Sequence, residues 1–374
     1  MKNIKNSKIK KRVIIAMSGG VDSSVAAKLL KDSGCDVMGI FLHFWKDEQE
    51  TGENKCCSLE SLNDAQRVCR IIGIPLYTLN FSKPFKKEVV DNFLTEYQNG
   101  RTPNPCVVCN KKVKLGLLIK KAEELGFDCV ATGHYVKTKK SGNFVKMYKA
   151  ADKNKDQSYF LSQLSQNQLQ KLIFPLGNYT KDEVRKLAKK FKLPTAAKKE
   201  SQEICFVSDK GHNEFLKRYL KLKSGPIKLM SGEKIGEHRG LPLYTIGQRK
   251  GIEIGGRGPY YAVKMDYKTN TLFVSNGNND PRLFGKELIA KDVNWLAGKE
   301  SKLPLNCEAV IRYRHKPVKC KVVKSSSLAK ATEDKKVKSN DVLVLFAEPQ
   351  RAITPGQSVI FYKGEELLGG GIIA

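Results

Sequence analysis

Over its first 200 residues the chain alternates two kinds of apolar pattern. Short β-branched runs, KRVIIAM (11–17), DVMGIFL (36–42) and PLYTLNF (75–81), read as buried strands. Between them, VDSSVAAKLLKDSG (21–34), closed by Gly34, and LESLNDAQRVCRIIGI (59–74) read as amphipathic helices. A further helix is predicted around 83–98, another over NKKVKLGLLIKKAEELG (110–126), and a strand with its loop over FDCVATGHY (127–135). SYFLSQLSQNQLQKL (158–172) and TKDEVRKLAKKF (180–191) add two more helices. Strands separated by helices at this spacing predict an α/β fold with a doubly wound parallel sheet.

After about residue 207 the texture changes. GHNEFLKRYLKLKSG (211–225) is predicted as one helix, and a Gly-rich segment follows through LPLYTIGQRKGIEIGGRGPYYAV. From about 283 onward the runs CEAVIRYR, VKCKVVK, DVLVLFAE and SVIFYKGEELLGGGIIA alternate between turn signals, the pattern of a small antiparallel barrel or sandwich. The polar stretch 325–340 reads as a mobile hairpin tip. Three domains are therefore expected, 1–207, 208–282 and 283–374, with no internal repeat.

Charge adds a partner class. Lys and Arg outnumber Asp and Glu by 67 to 38, a net charge of +29 that suits a polyanion or, more plainly, a Lys-biased solvated surface. No stretch reaches the roughly 18 apolar residues of a membrane span. VIIAM, behind a basic N-terminus, is too short for a signal-peptide core. A cytosolic location is expected, so the ten cysteines should be buried thiols, metal ligands or reagents and not structural disulfides.

AMSGGVDSS (16–24) ends the first strand and opens the first helix, where open parallel sheets bind ligands. Gly19 and Gly20 let successive N–H groups converge, and the helix N-terminus favours an anion there. Ser18, Ser23 and Ser24 offer hydroxyls to phosphate oxygens, and Asp22 is placed to reach a phosphate-bound magnesium. The loop lacks G-K-[ST] and G-x-G-x-x-G, which disfavours a Walker loop and a dinucleotide site. A capped helix start would explain any two of these residues but not the set. SGGVDSS resembles the pyrophosphatase loop of the PP-loop ATPases, a Rossmann-like superfamily that cleaves ATP between the α and β phosphates and adenylates a substrate. The resemblance implies an ATP site over Ala16, Met17, Ser18, Gly19, Gly20, Val21, Asp22 and Ser23.

TPNPCVVCN (102–110) sets two cysteines three apart between prolines, compatible with a metal clip, a disulfide or reactive thiols. Cys109 precedes a helix predicted from near Asn110, where a helix N-terminus and Lys111, Lys112 and Lys114 would stabilise a thiolate. Cys205, in SQEICFV (201–207), lies 96 residues later (205 − 109) and meets Cys109 only if the fold joins the two loops.

These blocks, with ATGHY, KDQSYFL, GLPLYTIGQRKGI and TPGQSVIFY, resemble the tRNA-specific 2-thiouridylase family over nearly the whole chain and in the family's order. The resemblance implies an ATP-binding catalytic domain over 1–207, a tRNA-binding central domain over 208–282 and a C-terminal β-barrel over 283–374. Its activity would adenylate the C2 oxygen of the wobble uridine with ATP and Mg2+, then replace that oxygen with sulfur from a cysteine persulfide. Cys109 would be the nucleophile, Cys205 the persulfide carrier, and a transient Cys109–Cys205 disulfide would form in turnover. A cysteine desulfurase, directly or by relay, would supply the sulfur. Oligomeric state stays open, a monomer being the default.

Cys106 departs from the Asp that many members carry there. With Cys109 and Cys205 it gives three soft ligands, so a [4Fe–4S] cluster is an alternative route. Cys35, Cys56, Cys57, Cys69, Cys129, Cys307 and Cys320 show no partner pattern and read as incidental thiols. By the same resemblance Leu42 and Gly133 belong to the ATP site, and Asn104, Pro105 and Cys106 line a flipped target base. His134, Lys155, Asp156, Gln157, Arg312, Tyr313 and Gln357 match tRNA contacts, Asp156 by positioning Lys155 or reading a base or ribose hydroxyl. Read without the resemblance, Leu42 is a core leucine, His134 structural, and Arg312 and Tyr313 a surface pair on a strand. Two other classes remain: an ATP-dependent amide- or amidine-forming ligase, which needs no thiols, and a noncatalytic RNA-binding protein with a decayed nucleotide pocket.

Overall fold

The computed structural model describes residues 10–47, 58–199, 204–207, 211–252, 254–255, 258–325 and 341–374. Its N-terminal sheet is centred on β1 (Arg12–Met17), flanked by β2 (Asp36–His43), β3 (Leu76–Asn80) and β4 (Cys129–Ala131). The order is β3–β2–β1–β4–Leu172–Ile173, every pair parallel. Side chains on β1 point alternately to two faces, as a period of two requires. Val13, Ile15 and Met17 enter one apolar cluster with helix α1 (Val21–Asp32), and Ile14 enters the cluster on the other face. The sheet is thus covered on both sides, the doubly wound arrangement that the sequence predicts. Strand order reverses between β1 and β4, so the crevice at their carboxyl ends is the switch point where such sheets bind ligands.

Several boundaries differ from expectation for local reasons. The helix expected from 110 starts one turn earlier, at Pro105–Val108, and continues as a π-helical turn, Cys109–Lys114, into Gly116–Glu124. Asn104 is its N-cap and Pro105 its first residue, a start signal lying within the loop that drew attention for its cysteines. The predicted helix 158–172 is instead a 3-10 turn, Ser158–Leu161, then a short helix, Gln166–Gln170, opened by a Ser165/Gln168 capping box, then a strand. The helix expected over 211–225 is His212–Tyr219, because Gly225 begins a strand packed so tightly that a Cβ there would sit 2.2 Å from the Asn270 carbonyl.

The central domain is a four-stranded sheet in the order Tyr260–Asp266, Thr271–Asn276, Gly225–Leu229, Lys234–His238. Its apolar face shares one cluster with Phe93, Cys109, Val113 and Phe206 of the first domain. The C-terminal domain is a closed six-stranded antiparallel barrel, sealed where Phe284–Trp295 pairs with Glu366–Ile373. Trp295 stacks on Phe361 inside it, ring centroids 5.5 Å apart. A hairpin, Lys137–Ser141 with Phe144–Tyr148, leaves the first domain to join this sheet through Tyr148 and Met147. It was not predicted, because KTKKS carries no apolar alternation. Cys307 and Cys320, expected to lack partners, face each other across two barrel strands with Sγ atoms 3.6 Å apart. Cys56, Cys57 and all of 325–340 except Ser325 lie outside the described residues. Among the described residues no helix is long and apolar enough to cross a membrane.

Phe361 is fully buried, whereas Phe144 is 45% exposed. Phe361→Ala should destabilise the barrel by about 3–5 kcal/mol, and Phe144→Ala by less than about 0.5 kcal/mol. Thermal denaturation of the two variants checks the contrast, and equal shifts would contradict it.

Candidate active site

The loop after β1 is tight because the neighbouring helix Leu59–Ile72 presses on it. Gly19 has φ +67°, and a Cβ there would lie 2.1 Å from the Ser61 carbonyl. Ser23 and Ser24 both donate to the Gly20 carbonyl, at 3.1 and 2.8 Å, and the Ser18 amide donates to Ser23 Oγ at 3.3 Å. The hydroxyls expected to face phosphate therefore brace the loop, leaving the exposed Ser18 and the amides of the turn at the crevice. Ala16, Met17 and Val21 hold the loop from below, with Met17 and Val21 buried. Gly133 packs directly on this helix start: a Cβ would come within 2.8 Å of the Ser23 nitrogen and 2.9 Å of the Asp22 carbonyl carbon. Its small size serves the approach of two protein segments. Leu42 is buried among the apolar residues of the second face.

Asp22 has two partners that sequence reasoning missed. Lys181 Nζ lies 2.7 and 2.8 Å from its two carboxylate oxygens, and the Tyr135 hydroxyl donates to it at 2.7 Å. Lys181 is buried and opens the helix Lys181–Lys190. A cation in the first turn of a helix opposes the dipole. That conflict, in a segment otherwise capped by Thr180 and Glu183, was the available signal for a functional lysine.

Cys106, Cys109 and Cys205 come together. Cys109 is buried in the cluster that also contains Phe206 and Val207, against which Cys205 packs. Cys205 acts electrostatically on both Cys106 and Cys109, and Lys114 acts on both as well. Burial raises the Cys109 thiol to about 12 and, with Cys205 nearby, Cys106 to about 11. The expected stabilised thiolate is thus not found in the free protein. Cys109 sits one turn inside the helix, away from the N-terminal dipole, and desolvation outweighs the attraction of Lys114. All three cysteines are free thiols, and among the described residues no three His, Cys, Asp or Glu side chains are arranged to hold a metal ion. The cluster route therefore has no support in this ligand geometry.

Lys114 also bears on His134, which burial and that cation push down to about 3. The cysteine helix and the loop after β4 thus share one electrostatic neighbourhood. His134 is neutral at physiological pH, with Nδ1 2.8 Å from Thr132 Oγ1, a hydrogen-bonding ring and not a cation.

The remaining candidates hold the protein together in this structure. Asp156 accepts from the Ala150 amide at 2.9 Å and the Ser158 hydroxyl at 2.6 Å, and burial raises its pKa. Lys155 is half-buried in the adjoining turn. Gln157 accepts from the Tyr135 amide at 2.9 Å and so fixes the ring that meets Asp22. Asn104 caps its helix, its side chain accepting from the Val107 amide at 3.4 Å, while Pro105 is buried. Tyr313 lies between Phe160, 4.5 Å away, and the Arg314 guanidinium, 5.3 Å away. Arg312 donates to the Ala352 carbonyl at 3.3 Å. Gln357 donates to the Thr102 carbonyl at 2.9 Å.

Known families match these three layers in order. The tRNA methyl transferase HUP domain matches residues 11–209, the tRNA methyl transferase PRC-barrel domain 213–276, and the Aminomethyltransferase beta-barrel domain 285–373. The protein named tRNA-specific 2-thiouridylase MnmA of Bacillus cereus is 47% identical over 363 residues, 97% of this chain and 94% of that one. Its namesake from Listeria monocytogenes is 46% identical over 364 residues, with the same coverage. Identity at that level across all three domains leaves one conclusion about ancestry: the chain belongs to the tRNA-specific 2-thiouridylase family.

Proposed function

We propose that the protein is an ATP-dependent tRNA-uridine 2-sulfurtransferase. The observation that carries this reading is the meeting of Cys205 with Cys106 and Cys109, which lie 99 and 96 residues before it (205 − 106 and 205 − 109), in a chain whose glycine loop stands at the switch point of the sheet. An amide-forming ligase would use the same loop but has no need of gathered thiols. The methyl-transfer wording of the domain descriptors has no counterpart in these residues either.

ATP enters as a substrate with Mg2+, which the phosphates, water and a carboxylate would hold and which would neutralise the departing pyrophosphate. The turn after β1 receives the pyrophosphate end, and Lys181, already poised on Asp22, supplies the neutralising cation. The uridine C2 oxygen attacks the α-phosphorus and pyrophosphate departs, which makes that oxygen part of a good leaving group. A donor of the cysteine desulfurase class leaves a persulfide on Cys205. Its terminal sulfur attacks C2 and AMP is expelled, giving a disulfide between the base and Cys205. Cys109, once deprotonated, attacks the Cys205 sulfur; the S–S bond to the base breaks, 2-thiouridine is released and a Cys109–Cys205 disulfide forms. A dithiol reductant restores both thiols. Cys106, neutral at pH 7 with its thiol pushed up to about 11, cannot replace a carboxylate as an ionised base.

Cys205→Ser should release pyrophosphate in the presence of tRNA and Cys109→Ser both pyrophosphate and AMP, yet neither should yield thiolated uridine. Thiolated product from either variant would remove it from the reaction. Lys181→Met should slow AMP formation about a hundredfold with tRNA affinity intact; normal AMP formation would show that Lys181 serves folding alone. Because the Cys109 thiol is raised to about 12, it is almost wholly protonated between pH 7 and 9. Its alkylation in the free protein should therefore climb about tenfold per pH unit across that range. A plateau below pH 9 would mean that a stabilised thiolate exists without substrates.

A further inference from the structure

Gln357 and Arg312 resemble tRNA contacts, yet both reach the protein's own chain at one place. Arg312 Nη2 donates to the Ala352 carbonyl and lies 3.4 Å from Thr354 Oγ1, holding the barrel loop that runs to Ser358. This loop takes both backbone groups of Thr102: the Thr102 amide donates to the Pro355 carbonyl at 2.8 Å, and Gln357 Nε2 donates to the Thr102 carbonyl at 2.9 Å. The fit is close. Gly356 has φ +89°, and a Cβ there would lie 2.9 Å from both Arg101 Cβ and the Thr102 nitrogen. From the central domain, Thr245 Oγ1 lies 3.1 Å from Thr102 Oγ1. Just beyond, Asn104 bears on the Tyr159 hydroxyl, which donates to the Ser358 carbonyl at 3.0 Å. All three domains therefore meet at the residues that start the cysteine helix.

We propose that barrel loop 352–358 is the positioning element of the cysteine helix, with Gln357 as its positioning residue. What binds the barrel acts through Thr102 on the helical turn carrying Cys106 and, one turn on, Cys109. Its catalytic consequence rests on the sulfurtransferase reading, but its geometry does not. Gln357 thereby gains a role distinct from direct RNA contact: it sets where the thiols stand.

The test compares the full-length wild type with Gln357→Leu, Gln357→Glu and Thr245→Val. Alkylation of Cys106 and Cys109 by iodoacetamide is followed by mass spectrometry without tRNA or ATP. Glutamate fills the space but, when ionised, cannot donate to the Thr102 carbonyl, so both Gln357 variants should react about fivefold faster, as loss of one hydrogen bond allows. Thr245→Val, which removes a contact from the opposite side and guards against a misfolded barrel, should shift the rate in the same direction. In the thiolation assay the Gln357 variants should lose kcat, with KM and Kd for tRNA unchanged. Unchanged alkylation in all three variants overturns the proposal, and a raised tRNA Kd with unchanged alkylation assigns Gln357 to RNA contact instead. If the wild type makes no thiolated uridine, the functional reading fails, while the alkylation comparison still decides the positioning claim.

Discussion

A thiol buried beside other thiols keeps its proton, and the candidate chemistry of this protein is organised around that constraint. Cys109 is raised to about 12 in a cluster built from two domains, although Lys114 stands nearby. Desolvation is the larger effect because the cluster walls are Phe, Val and Tyr side chains, which give a charge nothing to bind. The resting site is accordingly quiet. Reactivity at Cys109 has to come with a change in its surroundings.

The loop after β1 shows a related economy. Asp22 and Lys181 neutralise each other before any nucleotide arrives, with the Tyr135 hydroxyl holding the carboxylate. In the proposed reaction an incoming phosphate would meet a cation already in place and partly desolvated, so that little reorganisation is needed when charge develops. Gln157 fixes the Tyr135 backbone, so a segment resembling an RNA contact also steadies the nucleotide site.

What could be read from sequence was whatever is encoded locally. The apolar runs of β1 and β2, the turn SGGVDSS and the alternating barrel strands each carry their own signature within a few residues. The family resemblance added the pairing of Cys109 with Cys205, which spacing alone left open. Lys181 and Gln357 were illegible in their actual roles because their partners lie 159 and 255 residues away. The start of the cysteine helix was readable and was misplaced: Asn104–Pro105 is a cap followed by the residue best suited to a first turn. The hairpin 137–148 escaped because its strands are polar and borrow their stability from the barrel edge.

The barrel closes only when Glu366–Ile373 pairs with Phe284–Trp295. Of the described strands, the one that seals it is thus the last to leave the ribosome. The loop that takes both backbone groups of Thr102 depends on that closure, because it leads directly into Ser358–Lys363, which pairs with the same strand. A chain lacking Glu366–Ile373 would leave the barrel open and the loop that meets Thr102 without its frame.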